Sequence, residues 1–132
     1  MALDEDVRTL ATGRNFGALT TLFEDGSAQT HVMWVDADDD HVMVNTEVHR
    51  AKFRNVERDP RVTLTIWHRE DPYRYAEIRG RVVEVVRGPA AREHIDACSR
   101  RYTGHDYPGE QIASERAILR IAPDKVLRFN LS

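Results

Sequence analysis

Arg50, Lys52 and Arg54 stand at the start of a helical pattern over residues 49–58, fed by the strand-like Val44-Asn-Thr46. Cations at the positive end of a helix dipole are disfavoured by roughly 0.3–1 kcal/mol each. Anion binding would offset that cost: the free N–H groups of a first helical turn, joined by charge-assisted hydrogen bonds from Arg and Lys, suit a phosphate. A solvated basic face paired with Glu47, Glu57 and Asp59 is the alternative on spacing alone.

Trp34 and Trp67 end neighbouring β-type runs, and Tyr73 and Tyr75 begin another. Such rings form ordinary core or interface, or they wall a flat aromatic ligand. Beside an anion site, the second arrangement describes a planar ring system that carries a phosphate.

Other chemistry finds little support. Asp36, Asp38, Asp39 and Asp40 lack the glycine turn and the distant glutamate of a calcium loop, and read as a solvated turn. His31, His41, His49, His68, His94 and His105 show no paired zinc-protease spacing, so no metal is expected. Cys98 has Ile95, Ala91 and Tyr102 at helical spacing and reads as a buried, inert thiol. Neither a nucleophile elbow nor a phosphate-binding Walker loop is present.

The chain has 132 residues and a net charge of −3, with both signs interspersed. That is one domain, residues 1–132, short for an enzyme that must enclose a ligand alone. The charge excludes the usual basic footprint for nucleic acid. A single cysteine, an acidic start and the lack of a long apolar run lead to the expectation of a cytoplasmic protein without a membrane segment.

The elements that must position these residues follow from periodicity and turn chemistry. Residues 4–12 read as a helix, with acids in the first turn and Gly13 just beyond. Residues 16–23 and 28–35 form a hairpin around Asp25-Gly26, and a second turn spans 36–40. Strands follow at 41–46 and 61–68 with the 49–58 helix between them, then a long strand at 73–86. In the long strand Glu77, Arg79 and Arg81 share one face, and Gly80 marks a bend. Pro89 opens a helix to Tyr102, and strands at 117–121 and 126–131 close the order around Ala122-Pro-Asp124. The expected fold is mainly β: a barrel of six to seven antiparallel strands with about three peripheral helices.

Several motifs carry a resemblance: Phe16-Gly-Ala-Leu-Thr-Thr21, Val44-Asn-Thr46 with His49-Arg-Ala-Lys52, Asn55 with Arg58-Asp-Pro-Arg61, Pro72-Tyr-Arg-Tyr-Ala-Glu-Ile-Arg-Gly-Arg81, and Arg101-Tyr-Thr-Gly104. Together they resemble the flavin- and deazaflavin-binding split β-barrel family named for pyridoxamine 5′-phosphate oxidase. The likeness is greatest to its actinobacterial branch that uses coenzyme F420.

The resemblance implies a homodimer with two cofactor sites at the interface. It implies that Thr46, Arg50 and Lys52 hold the cofactor phosphate, that Thr30, His31, Val32 and Trp34 lie along the ring system, and that Asn45 and Asn55 sit close by. A second subunit would add Trp67, Tyr73 and Arg79, with Tyr75 a further candidate. The implied reaction is hydride transfer from reduced F420 to a small electron-poor acceptor such as a quinone, an enone or a tetrapyrrole. Its catalytic groups stay unassigned; Tyr73, Tyr75, His68 or water would deliver the proton. An FMN-dependent reductase or oxidase of the same fold is the alternative, and a non-catalytic F420 or tetrapyrrole carrier is a third. The ending Val126-Leu-Arg-Phe-Asn-Leu-Ser132 lacks the aromatic-rich tail of true pyridoxamine phosphate oxidases, so vitamin B6 oxidation is not expected.

Overall fold

The computed structural model describes residues 2–131. Helix α1 (Glu5–Thr12) precedes strands β1 (Phe16–Leu22), β2 (Ala28–Trp34), β3 (Asp36–Ala37) and β4 (Val42–Glu47). Helix α2 (Ala51–Arg58), strands β5 (Arg61–His68) and β6 (Asp71–Arg87), helix α3 (Pro89–Thr103) and strand β7 (Arg116–Phe129) complete the chain. The seven strands form one antiparallel sheet in the order β2-β1-β5-β6-β7-β4-β3. The sheet curls until β2 meets β4, giving a split β-barrel with helices outside it. No described helix is long and apolar enough to cross a membrane.

Alternation decides which faces turn inward. Leu19 of β1, Val62, Leu64 and Ile66 of β5, and Ala76 and Ile78 of β6 are buried, while their sequence neighbours are more exposed. Helix α1 covers part of this core with Val7, Leu10 and Ala11, one helical face at i, i+3 and i+4. Strand β4 is buried along its whole length. One of its faces sends Val42 and Val44 into the main core; the other packs Met43 against Ala91 and Ile118 and carries Asn45 and Glu47.

Three local expectations needed correction. The turn expected over residues 36–40 begins with the short strand β3, and the tight turn is confined to Asp38–His41, where Asp38 Oδ1 accepts from the backbone N–H groups of Asp40 and His41. The helix expected from His49 starts at Ala51, and Arg50 is its extended N-cap residue. The two closing strands are one: β7 runs through Pro123, which lies opposite Gly80 where the β6–β7 register shifts. A proline is tolerated in a sheet at such an irregularity because the ladder is already interrupted there. Gly80 stands at this irregularity, where a Cβ would overlap the Ala122 carbonyl oxygen. At the first hairpin Gly26 takes a φ of 87°, as the Asp-Gly turn requires.

Candidate functional site

Strands β2 and β4, the start of α2, the inner face of α3 and the first residue of β7 surround a cleft of about 590 Å³. Its two ends differ in chemistry. Thr46, Arg50, Lys52 and Arg116 form one end, and Phe16, Trp34, Ile95 and Tyr107 contribute apolar surface elsewhere.

The buried face of α2 explains the charged end. Phe53 and Val56 hold the helix on the sheet, but Lys52 and Asn55 share their burial. Lys52 is only 6% exposed, and among the described residues it pairs with no carboxylate. Its Nζ instead donates to His31 Nδ1 at 3.0 Å. Burial, then the nearby Arg50 and Arg116 charges, lower the Lys52 pKa to about 8. Burial and the same Lys52 charge also lower the pKa of His31, which keeps its ring neutral and able to accept.

Among the described residues Glu47 is the one carboxylate that pairs with Arg50 and Arg116, and it is largely committed elsewhere. Its Oε1 accepts the backbone N–H groups of Ala113 and Ser114, both at 2.7 Å. Arg116 and Arg50 lie 3.6 and 4.0 Å from its other oxygen. Two guanidinium groups therefore share one carboxylate while Lys52 has none, and the Thr46 hydroxyl is buried beside them with no hydrogen-bond partner. A buried hydroxyl without a partner costs free energy unless something completes it. An incoming phosphate supplies acceptors for Thr46 and Lys52 together, so the residues present fit a phosphate-bearing cofactor.

The aromatic wall is built from Trp34. Its ring stacks on Tyr102 at 5.1 Å and meets Tyr107 edge-on at 6.2 Å, and the Arg116 guanidinium lies 5.2 Å from the Tyr107 ring centre. The four-ring grouping of Trp34, Trp67, Tyr73 and Tyr75 does not assemble within one chain. Tyr75 stacks on Phe129 at 4.4 Å, Tyr73 is exposed, and neither they nor Trp67 line the cleft.

Of the residues expected to bind cofactor, Thr30, His31, Val32, Trp34, Asn45, Thr46, Arg50 and Lys52 all line this cleft. Asn55 does not: its amide donates to Thr21 Oγ1 at 3.0 Å and ties α2 to β1. Arg79 pairs with Glu77 away from the cleft, and His68 lines a different depression beside Asn15 and Arg69. The cleft also contains residues that the sequence did not assign to a binding site, chiefly His94, Cys98, Tyr107 and Arg116. His94 and Cys98 are four apart on one helix, a readable signal; the Arg116–Asn45 contact spans 71 positions and left none.

Asp36, His94 and Cys98 bring an oxygen, a nitrogen and a sulfur within 4.8 Å of one another, a donor set of the kind that can hold a metal. His94 Nε2 bonds Asp36 Oδ2 at 2.9 Å, with the Cys98 sulfur 3.6 Å away. A metal on Nε2 would oblige Nδ1 to carry the proton. Nδ1 instead faces the Asn45 amide nitrogen at 3.0 Å, a donor, so this arrangement suits hydrogen bonds better than a metal. Burial opposes a charge on His94, while the hydrogen bond with Asp36 and the neighbouring Cys98 favour one and push its pKa up. The Asn45 donor opposes that rise, and its direction is fixed by two further neighbours. Arg116 Nε can only donate, to Asn45 Oδ1 at 2.8 Å, and the Ala91 carbonyl can only accept, from Nδ2 at 2.9 Å. His94 is therefore read as the neutral ring that accepts at Nδ1.

Residues 3–130 match the family described as Pyridoxamine 5′-phosphate oxidase. No curated protein matches the chain. Among solved structures, one described as an F420 reductase is 26% identical, with a TM-score of 0.82 over 95% of this chain and 98% of that one. The conserved hypothetical protein Rv2991 of Mycobacterium tuberculosis is 22% identical, with a TM-score of 0.72 over 98% and 86% of the two chains. General Stress Protein 26 of Bacillus anthracis str. Sterne is 18% identical, with a TM-score of 0.72 over 97% and 94%. The last two show likeness of fold alone.

Proposed function

The chain belongs to the pyridoxamine 5′-phosphate oxidase family, and on that premise we propose that it is an oxidoreductase using coenzyme F420, reducing a small electron-poor conjugated acceptor. One observation carries the reading: a buried lysine without a carboxylate partner and a buried threonine hydroxyl without any partner line the same cleft. Thr46, Lys52 and Arg50 would hold the phosphate, and Arg116 would add charge at the same end. Thr30, His31, Val32 and Trp34 would lie along the ring.

When bound, the deazaflavin would supply the hydride; the protein's share is position, exclusion of water and electrostatics. Lys52 is suited to its part because its charge is already desolvated, so an arriving phosphate meets a cation that loses little hydration. Trp34 is fixed by Tyr102 and Tyr107 and offers a rigid wall to a flat ring.

The cleft is open on the side of Val32, which is 67% exposed, and Tyr73, Val83, Val85 and Phe129 are also left exposed. A homodimer would cover such surface, and residues such as Trp67, Tyr73 and Arg79 would then serve the partner's cleft. Tyr73, 77% exposed, is the proton donor of the three candidates with most freedom to do so.

The likeness to an F420 reductase favours F420, while the family's name favours FMN, whose phosphate would suit the same cations. Fluorescence titration of the purified protein with each cofactor distinguishes them. Tighter binding of F420, followed by acceptor-dependent oxidation of its reduced form, is the result expected; stoichiometric FMN that F420 cannot displace would favour the flavin reading. Tight F420 binding without turnover of any acceptor would favour a carrier.

A further inference from the structure

A chain of buried polar groups runs from the charged end of the cleft to helix α3. Arg116 Nε donates to Asn45 Oδ1, and Asn45 Nδ2 donates both to the Ala91 carbonyl and to His94 Nδ1. His94 Nε2 then meets Asp36 Oδ2, and Arg101 lies 3.4 Å from the other Asp36 oxygen. Asn45 is 8% exposed, so each of its bonds is made in a site where a lost partner is not readily replaced by water.

We infer that His94 is a positioning residue for the anion end of the cleft, acting through Asn45 on the Arg116 guanidinium. The inference rests on the proposed phosphate site but concerns a residue outside it. Both Asn45 N–H groups are used, one on a main-chain carbonyl of α3 and one on His94, so the amide cannot turn without breaking a bond at each end. Its carbonyl oxygen therefore stays aimed at Arg116 Nε. With Nε held there and one terminal nitrogen 3.6 Å from Glu47, the guanidinium has one defined orientation beside the cleft. Without an acceptor at His94 Nδ1, only the Ala91 carbonyl restrains the amide, and Arg116 loses its fixed partner.

The same geometry sets protonation of His94 Nδ1 against the Arg116–Asn45 bond. A proton there would face an N–H group, and turning the amide to accept it would point an N–H group at Arg116. The charged and titratable groups that face His94 are Asp36 from β3, Cys98 and Arg101 from α3, and Arg116 through Asn45.

Two variants separate positioning from mere packing. His94→Asn keeps an acceptor close to the place of Nδ1, whereas His94→Leu fills similar space without one; both lose the bond to Asp36. Binding of F420 and of FMN should weaken about 3- to 10-fold in His94→Leu and change by less than about 2-fold in His94→Asn. A structural role alone would move both variants alike, and that result would overturn the inference. A readout that needs no cofactor is the nitrogen-15 spectrum. At pH 7.5 wild-type His94 should show an unprotonated Nδ1, and the Arg116 Nε–H signal should persist in His94→Asn and shift or vanish in His94→Leu. A proton on Nδ1, or an Arg116 signal unchanged in His94→Leu, would also overturn it. Wild-type protein that bound neither cofactor would instead sink the phosphate reading, and the spectra would still decide the role of His94.

Discussion

Lys52 reaches a histidine where a buried lysine would ordinarily reach a carboxylate: its Nζ lies 3.0 Å from His31 Nδ1, and both side chains line the cleft. A neutral imidazole offers an acceptor without neutralising the charge. The lysine thus has its hydrogen bond and keeps its attraction for an anion, at a cost to the empty protein.

That cost is measurable. Lys52→Met keeps most of the buried stem and removes a cation from the first turn of α2, where the helix dipole disfavours it. Unfolding free energy should hold steady or rise. Cofactor affinity should fall by about 10- to 150-fold, equivalent to roughly 1.5–3 kcal/mol for a charge-assisted hydrogen bond. Denaturant melts and fluorescence titrations of one preparation check both; a destabilised variant with unchanged affinity would identify Lys52 as structural.

The lowered Lys52 pKa fixes a pH dependence. The group loses its proton near pH 8 in the folded state, against an ordinary value of 10.5. Between these limits the unfolded chain binds more protons than the folded one, so the contribution of Lys52 to stability rises with pH. Below pH 8 the burden of the buried charge is fully present. The stability advantage of Lys52→Met should therefore shrink from pH 8 towards 10. Phosphate favours the charged lysine, so cofactor binding near pH 8 should take up protons and weaken at higher pH. Calorimetry in two buffers of different ionisation heat reads the uptake; none at pH 8 in wild type would contradict the assignment.

Gly80→Ala tests the close approach of β6 to β7. The added methyl group would overlap the Ala122 carbonyl where β6 lies against β7, and paired strands on both sides restrict its escape. A loss of about 1–3 kcal/mol in unfolding free energy is expected, as for other overpacked sites. Gly80 does not line the cleft, so cofactor affinity of the folded fraction should hold.

Local chemistry made much of this legible in advance. The Asp25-Gly26 turn and the alternation of Val62, Leu64 and Ile66 each express a rule that acts over a few residues, and each appears in place; of the cations around Lys52, Arg50 lines the cleft, while Arg54 is exposed and does not. The continuity of β7 through Pro123 was hidden because it depends on an interruption in a different strand, at Gly80. Asn45 was legible as a site residue, but its commitment to Arg116 and His94 was not, since those partners lie 71 and 49 positions away. Trp34 was legible as a ring at a strand end, but its neighbours Tyr102 and Tyr107 were not, since they come from the end of α3 and the loop after it, whose path the local pattern does not specify.

In the proposed function this cleft holds a phosphate-bearing deazaflavin through Thr46, Arg50 and Lys52. Its most direct test is a fluorescence titration of F420 against wild type, Lys52→Met and Arg50→Ala, with FMN in parallel. Low-micromolar or tighter F420 binding by wild type, weaker FMN binding, and at least about a tenfold loss of F420 affinity in each variant are expected. Equal F420 affinity in all three proteins, or none in wild type, would contradict it.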